Sequence, residues 1–238
     1  MSDRELAGLD HPVWSALTTK QAHLGQGDAL ARRYHPDVAP FAALATETSS
    51  AYQALQQLLR PHEQVALLSV ERIGPVDGFQ TTHVGVIHQM IASHRQAGRT
   101  DNDEIGQLGA ADASDMLELA RKTKPGPFSE RTIAMGNYIG IRERGHLVAM
   151  AGERMHIDGY VEISAVCVDD AHRGKGHAAR LMSALQWEIE KRGETPFLHV
   201  FSDNASAIRL YERLGFRLRR TFHLNRIERI HTGSVAAL

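Results

Sequence analysis

The stretch Val166-Cys167-Val168-Asp169-Asp170-Ala171-His172-Arg173-Gly174-Lys175-Gly176-His177-Ala178-Ala179-Arg180-Leu181 decides how the chain reads. An apolar strand ends at Val168, a short loop follows, and a glycine-rich turn opens a long helix. That helix is predicted over 174–191, with Leu181, Met182, Leu185 and Ile189 on one face and Gly193 as its stop. Glycines at 174 and 176 remove side chains that would keep backbone N–H groups away from a phosphate. The helix start adds about half a positive charge, and Arg173, Lys175 and Arg180 add more. A diphosphate-bearing ligand is the expected occupant. A nucleotide P-loop is excluded, since Gly174-Lys175 is not followed by Ser or Thr. The run Gly174-x-Gly176-x-x-Ala179, with Glu194 beyond it, satisfies a dinucleotide fingerprint. Its context does not: residues 169–173 intervene between strand and first glycine, and the strands upstream read as hairpins.

Upstream of this junction, strands are predicted over 137–142, 147–155 and 160–168, joined by turns at Arg144-Gly145-His146 and Asp158-Gly159. Downstream, a strand at 196–201, a helix at 204–214 ended by Gly215, and one or two strands over 216–230 follow. Further back, helices are predicted from Val13, after Asp10-His11-Pro12, and over 48–60 and 111–123, with strands over 64–70 and 79–90. The expected fold class is α+β, a mixed and mostly antiparallel sheet flanked by helices. The Gly, Asp and Ala-rich stretch 98–112 suggests a boundary, giving an N-terminal α/β domain over 1–105 and a second domain over 106–238.

The 238 residues, 42% hydrophobic, suffice for a sizeable core. A balance of 27 Lys+Arg against 28 Asp+Glu argues against a nucleic-acid binder. One cysteine excludes an internal disulfide, and no stretch reaches the length of a membrane-spanning helix. The N-terminus lacks a secretory signal, so a cytoplasmic location is expected. The 14 histidines are scattered with none four residues apart, and no metal site is expected.

The same junction fits Arg-x-x-Gly-x-Ala, as Arg173, Gly176 and Ala178. Here the chain resembles the GNAT N-acetyltransferase superfamily, whose signature occupies such a strand–loop–helix junction. Members commonly continue with a strand, an Asn opening a second helix, a Tyr and a Leu-Gly-Phe; this chain has Asn204, Tyr211 and Leu214-Gly215-Phe216 in that order. The resemblance covers roughly residues 112–230. It implies acetyl-CoA as co-substrate, with no metal. The main chain of Arg173, Gly174, Lys175, Gly176, His177 and Ala178 would cradle the CoA diphosphate, and Val166, Cys167 and Val168 would pair with the pantetheine arm.

The resemblance also makes Tyr211 the candidate general acid, against the alternative of a core tyrosine. Glu162 is the candidate base: strand alternation sets Tyr160, Glu162, Ser164 and Val166 on one face, where partial burial would raise a carboxyl. Its alternative is a solvated or salt-bridged glutamate. Cys167 reads as a small buried hydrophobe. Asn204 is expected to cap its helix, with Ser202 or Asp203 as alternative caps, and to bond the pantetheine. The arginines at 217, 219, 220, 226 and 229 would attract an anion or protect an exposed edge strand, and 124–128 would rim the acceptor pocket or act as a rigid connector.

The expected activity is direct acetyl transfer to a primary amine on a small molecule or peptide; the competing class is a non-catalytic acyl-CoA-binding module. Neither a nucleic acid nor a membrane is an expected partner, and a homodimer is among the expectations. The first hundred residues could hold a degenerate copy of the same fold. Without a glycine signature, that half would shape the acceptor pocket or an oligomer contact.

Overall fold

A computed structural model describes residues 3–93 and 104–230. The chain begins with α1 (Asp3–Asp10) and α2 (Pro12–Thr18), followed by three short strands, β1 (Gly25–Gly27), β2 (Ala31–Tyr34) and β3 (Ala42–Leu44). Helix α3 (Ser49–Leu58), β4 (Gln64–Ser69) and β5 (Phe79–Ala92) complete the first described stretch. The second contains β6 (Ile105–Leu108), α4 (Ala113–Thr123), β7 (Tyr138–Glu143), β8 (His146–Ile157), β9 (Tyr160–Val168), α5 (His177–Lys191), β10 (Thr195–Phe201), α6 (Ala205–Arg213) and β11 (Phe216–Arg229).

The predicted hairpins form: β7, β8 and β9 pair antiparallel in succession. Helix α5 buries Leu181, Met182, Leu185 and Ile189 against Val161, Ile163, Leu198 and Val200 of the sheet. It begins three residues later than the pattern suggested, because Gly174 and Gly176 hold left-handed φ of +80° and +79° and form the loop before it.

The boundary expected at 105/106 does not divide the sheet. An eight-stranded sheet runs β4-β11-β5-β10-β9-β8-β7-β6, so β5, from the first part, lies between β10 and β11. Long strands explain this. β5 and β11 each span 14 residues and pair with one another over most of their length. Periodicity shows that such a strand exists and does not show its partner. β11 is consequently an interior strand rather than the expected exposed edge. Three of its arginines are structural: Arg219 binds Gln89 and Asp10, Arg220 reaches Asp10, and Arg229 binds the Leu59 carbonyl, while Arg217 and Arg226 are exposed.

The three short strands form a separate antiparallel sheet, β1-β2-β3. β3 and β4 meet through the parallel bridge Phe41↔Ala66, with α3 as their connection. One apolar cluster, including Leu9, Val13, Leu17, Tyr34, Phe41, Met155, Tyr160 and Phe197, fills the space between these N-terminal elements and one face of the large sheet. Helices α3, α5 and α6 pack apolar residues onto other clusters of the sheet.

Candidate functional site

The site begins where two parallel strands part. β9 and β10 pair through Tyr160↔Thr195, Val161↔Pro196 and Glu162↔Phe197, after which β10 keeps its antiparallel pairing with β5 through Phe201. Among the described residues, β9 has no strand partner on that edge from Ile163 to Val168. A bulge accompanies the parting. Between Gly152↔Ser164 and Met150↔Cys167, β9 holds one residue more than β8, and Ala165 sits at φ +51°. The extra residue bends the strand and re-aims the side chains beyond it.

That bulge corrects the expected alternation. Val166 joins Val168, Val161 and Ile163 toward α5 and α6, while Ala165 and Cys167 turn to the cluster containing Met116, Leu119 and Tyr138. Val166 therefore does not share a face with Glu162. Cys167 is the buried hydrophobe the sequence indicated, its thiol pushed up to about 11 by burial.

The glycine loop lies at the mouth of this notch. A Cβ built on Gly174 or Gly176 meets nothing within 4 Å, so the space above both is open. Gly176 is the N-cap of α5 and has no side chain to satisfy the first-turn N–H groups, which stay available to a ligand. The loop cations rest on carboxylates: Lys175 on Glu143 at 2.9 Å, Arg173 on Asp170 at 2.8 Å, Arg180 on Glu104 at 2.8 Å. Such exposed pairs are weak and exchange readily for a polyanion. Lys122 and the Ala171 N–H donate to Asp169, lowering its pKa and bracing the loop. His177, the first residue of α5, is buried.

Tyr211 and Val166 pack against one apolar cluster, with Ala207, Ile208 and Leu214 of the α6 region beside them. Tyr211 also meets the Phe216 ring edge-on at 6.3 Å. Burial pushes its phenol up to about 12, so it is protonated at neutral pH. Asn204 caps α6, its Oδ1 accepting from the Ala207 N–H at 3.1 Å, and its side chain is exposed. In 124–128, Phe128 packs edge-on against Tyr138 at 5.7 Å, as a connector anchored in the core.

Glu162 departs from expectation. It is fully buried, and both oxygens are engaged: Arg154 donates to Oε2 at 2.8 Å and to Oε1 at 2.5 Å, and His199 Nδ1 lies 2.7 Å from Oε1. Burial by itself would raise the carboxyl; the Arg154 guanidinium and His199 outweigh it and hold the group at about 2. The raised carboxyl expected of a base is thus absent, and the salt-bridged alternative holds. The strand pattern could not show this, because the partners arrive from β8 and β10.

The same contacts continue. Gln89 donates to the Leu9 carbonyl and lies 3.3 Å from His199 Nε2; Arg219 donates to Gln89 Oε1 at 2.9 Å and to Asp10 at 2.5 Å. A polar row Arg154–Glu162–His199–Gln89–Arg219–Asp10 therefore crosses β8, β9, β10, β5 and β11 and ends on α1, spanning the parting point. With the Gln89 amide oriented by Leu9 and Arg219, His199 presents Nδ1–H to Glu162 and a lone pair at Nε2. Sequence reasoning missed Arg154, His199 and Gln89. The one signal was charge inside apolar strands, at Arg154 and Glu162.

Comparison with known proteins agrees with this geometry. The FR47-like protein family model matches residues 138–225. A crystal structure of an acetyltransferase of the GNAT family from Novosphingobium aromaticivorans is 38% identical, with a TM-score of 0.87 over 93% of this chain and 98% of that one. The [ribosomal protein bS18]-alanine N-acetyltransferase of Escherichia coli is 30% identical over 128 residues, 50% of this chain and 86% of that protein. The uncharacterized N-acetyltransferase YobR of Bacillus subtilis is 38% identical over 61 residues, a span of only 25% of either chain. On these matches the chain belongs to the GNAT superfamily of N-acetyltransferases.

Proposed function

We propose that the enzyme transfers acetyl directly from acetyl-CoA to a primary amine. The observation that carries this reading is the open edge of β9 beside an uncapped, glycine-built helix start. Main-chain N–H groups from Arg173 to Ala178 would hold the diphosphate, where the two glycines leave room for close approach. The free edge of Val166–Val168 would hydrogen-bond the pantetheine, strand-like. Bound there, the co-substrate supplies an acyl thioester. A neutral Tyr211 can then donate a hydrogen bond to the departing sulfur. A thiol has a pKa of about 8.5, below that of the phenol, so the donation stabilises charge more than it transfers a proton outright. Glu162 is held by Arg154 and His199 and positions the strands rather than accepting a proton; the acceptor amine sheds its proton to water.

The acceptor class is a primary amine. The E. coli relative is named for an alanine of ribosomal protein bS18, which makes a peptide α-amine one class to screen. The test is thiol release from acetyl-CoA with a panel of amines and peptides. Wild-type enzyme should release thiol with at least one acceptor, and Tyr211→Phe should lower kcat by about 100-fold with little change in KM for acetyl-CoA. Binding of acetyl-CoA without turnover on any amine would support the non-catalytic module instead. A thermal shift with NAD and none with acetyl-CoA would overturn both.

A further inference from the structure

The parting of β9 and β10 has a counterpart in the first hundred residues. β3 and β4 are also parallel, are also joined through a helix, and separate after the bridge Phe41↔Ala66. β4 is antiparallel to β11, β11 to β5, and β5 to β10. β4 and β10 therefore run in opposite directions, and the two gaps open toward opposite ends of the sheet. The second gap holds a cavity of about 260 Å³, walled by Trp14, Leu44, Glu47, Tyr52, Leu67 and Glu71 among others.

Its chemistry is the reverse of the glycine loop. From Ala42 to Leu59 there is no glycine, lysine or arginine. The start of α3 is capped from within, Thr48 Oγ1 accepting from the Ala51 N–H at 3.3 Å. Glu47 stands beside that helix start, and burial together with the Glu47 charge pushes Tyr52 up to about 12. A diphosphate would meet carboxylates and no free cradle. An ammonium would meet two exposed carboxylates at the rim, Glu47 and Glu71, and two half-buried aromatic rings, Trp14 and Tyr52, a setting that favours a cation over an anion. Asp10, also on the wall, is already held by Arg219 and Arg220. Glu47 and Glu71 have no ion pair among the described residues.

We propose that the β3/β4 gap binds a small organic ammonium with an aromatic or aliphatic body, at a site separate from the acetyl-transfer notch. The cavity lies at the small end of ligand sites, which limits the ligand to roughly the size of a single-ring amine.

The experiment titrates the full chain with tyramine, and with tyrosol as its uncharged analogue, by calorimetry and thermal unfolding. Tyramine should bind and raise Tm by several degrees at saturation, and tyrosol should bind at least tenfold more weakly. The double variant Glu47→Gln/Glu71→Gln should weaken tyramine at least tenfold while keeping the wild-type Tm rise with acetyl-CoA, which shows that it is folded. Trp14→Leu should weaken tyramine as well. No tyramine binding by wild type, or equal binding by wild type and double variant, overturns the proposal. Absence of an acetyl-CoA shift in wild type would instead sink the acetyl-transfer reading, and the tyramine comparison would still decide this one by calorimetry.

Discussion

Replacing Glu162 by Gln tests whether that carboxylate holds the fold or moves a proton. The side chain is fully buried, Arg154 is 9% exposed, and the pair shares two hydrogen bonds. Glutamine keeps the shape and removes the charge, leaving a buried guanidinium uncompensated; breaking one side of such a pair costs about 3–5 kcal/mol. The depressed carboxyl gives a second figure. A carboxyl lowered from 4.5 to about 2 contributes about 3 kcal/mol at pH 7. Because the folded value is the depressed one, this stability is complete above pH 4.5 and is lost as pH falls through about 2. Urea unfolding of wild type and variant should therefore differ by about 3 kcal/mol at pH 7 and by roughly 1 kcal/mol near pH 3. The acid limb of the wild-type pH–rate profile should contain no group near 4.5 belonging to Glu162. A difference in stability that does not change with pH would refute the assignment. So would a variant as stable as wild type that has lost more than about 100-fold in kcat, the behaviour of a true base.

Three further outcomes follow from local geometry. Gly176→Val places a branched side chain at φ +79° in the open space of the cradle; folding should cost about 1–2 kcal/mol, and acetyl-CoA affinity, measured by calorimetry, should fall more than tenfold. Asn204→Ala removes the α6 cap and should cost about 1 kcal/mol in urea unfolding; an added loss of acetyl-CoA affinity would show that Asn204 also touches the pantetheine. Cys167, buried and with its thiol near 11, should resist iodoacetamide at pH 8 in the native protein and react once unfolded.

Much of the site was legible because its signals are local. Gly174 and Gly176 mark a left-handed loop, Asn204 marks a cap, and the spacing of Leu181, Leu185 and Ile189 marks the face that α5 buries. Each depends on residues within about two helical turns of one another. Glu162 shows the opposite case. Its neighbours along β9 indicate a half-buried strand, whereas its charge state is set by Arg154 on β8 and His199 on β10. The face of Val166 escaped as well, since one extra residue at Ala165 inverts an alternation that otherwise has a strict period of two.

What the amino-acid order determined alone is the chemistry of the cradle: glycines, flanking cations and a helix start must lie together because they are contiguous. What tertiary structure alone decided is which strands meet. β5 enters the sheet between β10 and β11, Glu162 is neutralised by the Arg154 guanidinium 8 positions away and hydrogen-bonded by His199 37 positions away, and a second parallel gap opens between β3 and β4. Strand pairing satisfies the same backbone donors and acceptors whichever segments supply them. The choice among partners is therefore made by packing of the whole chain.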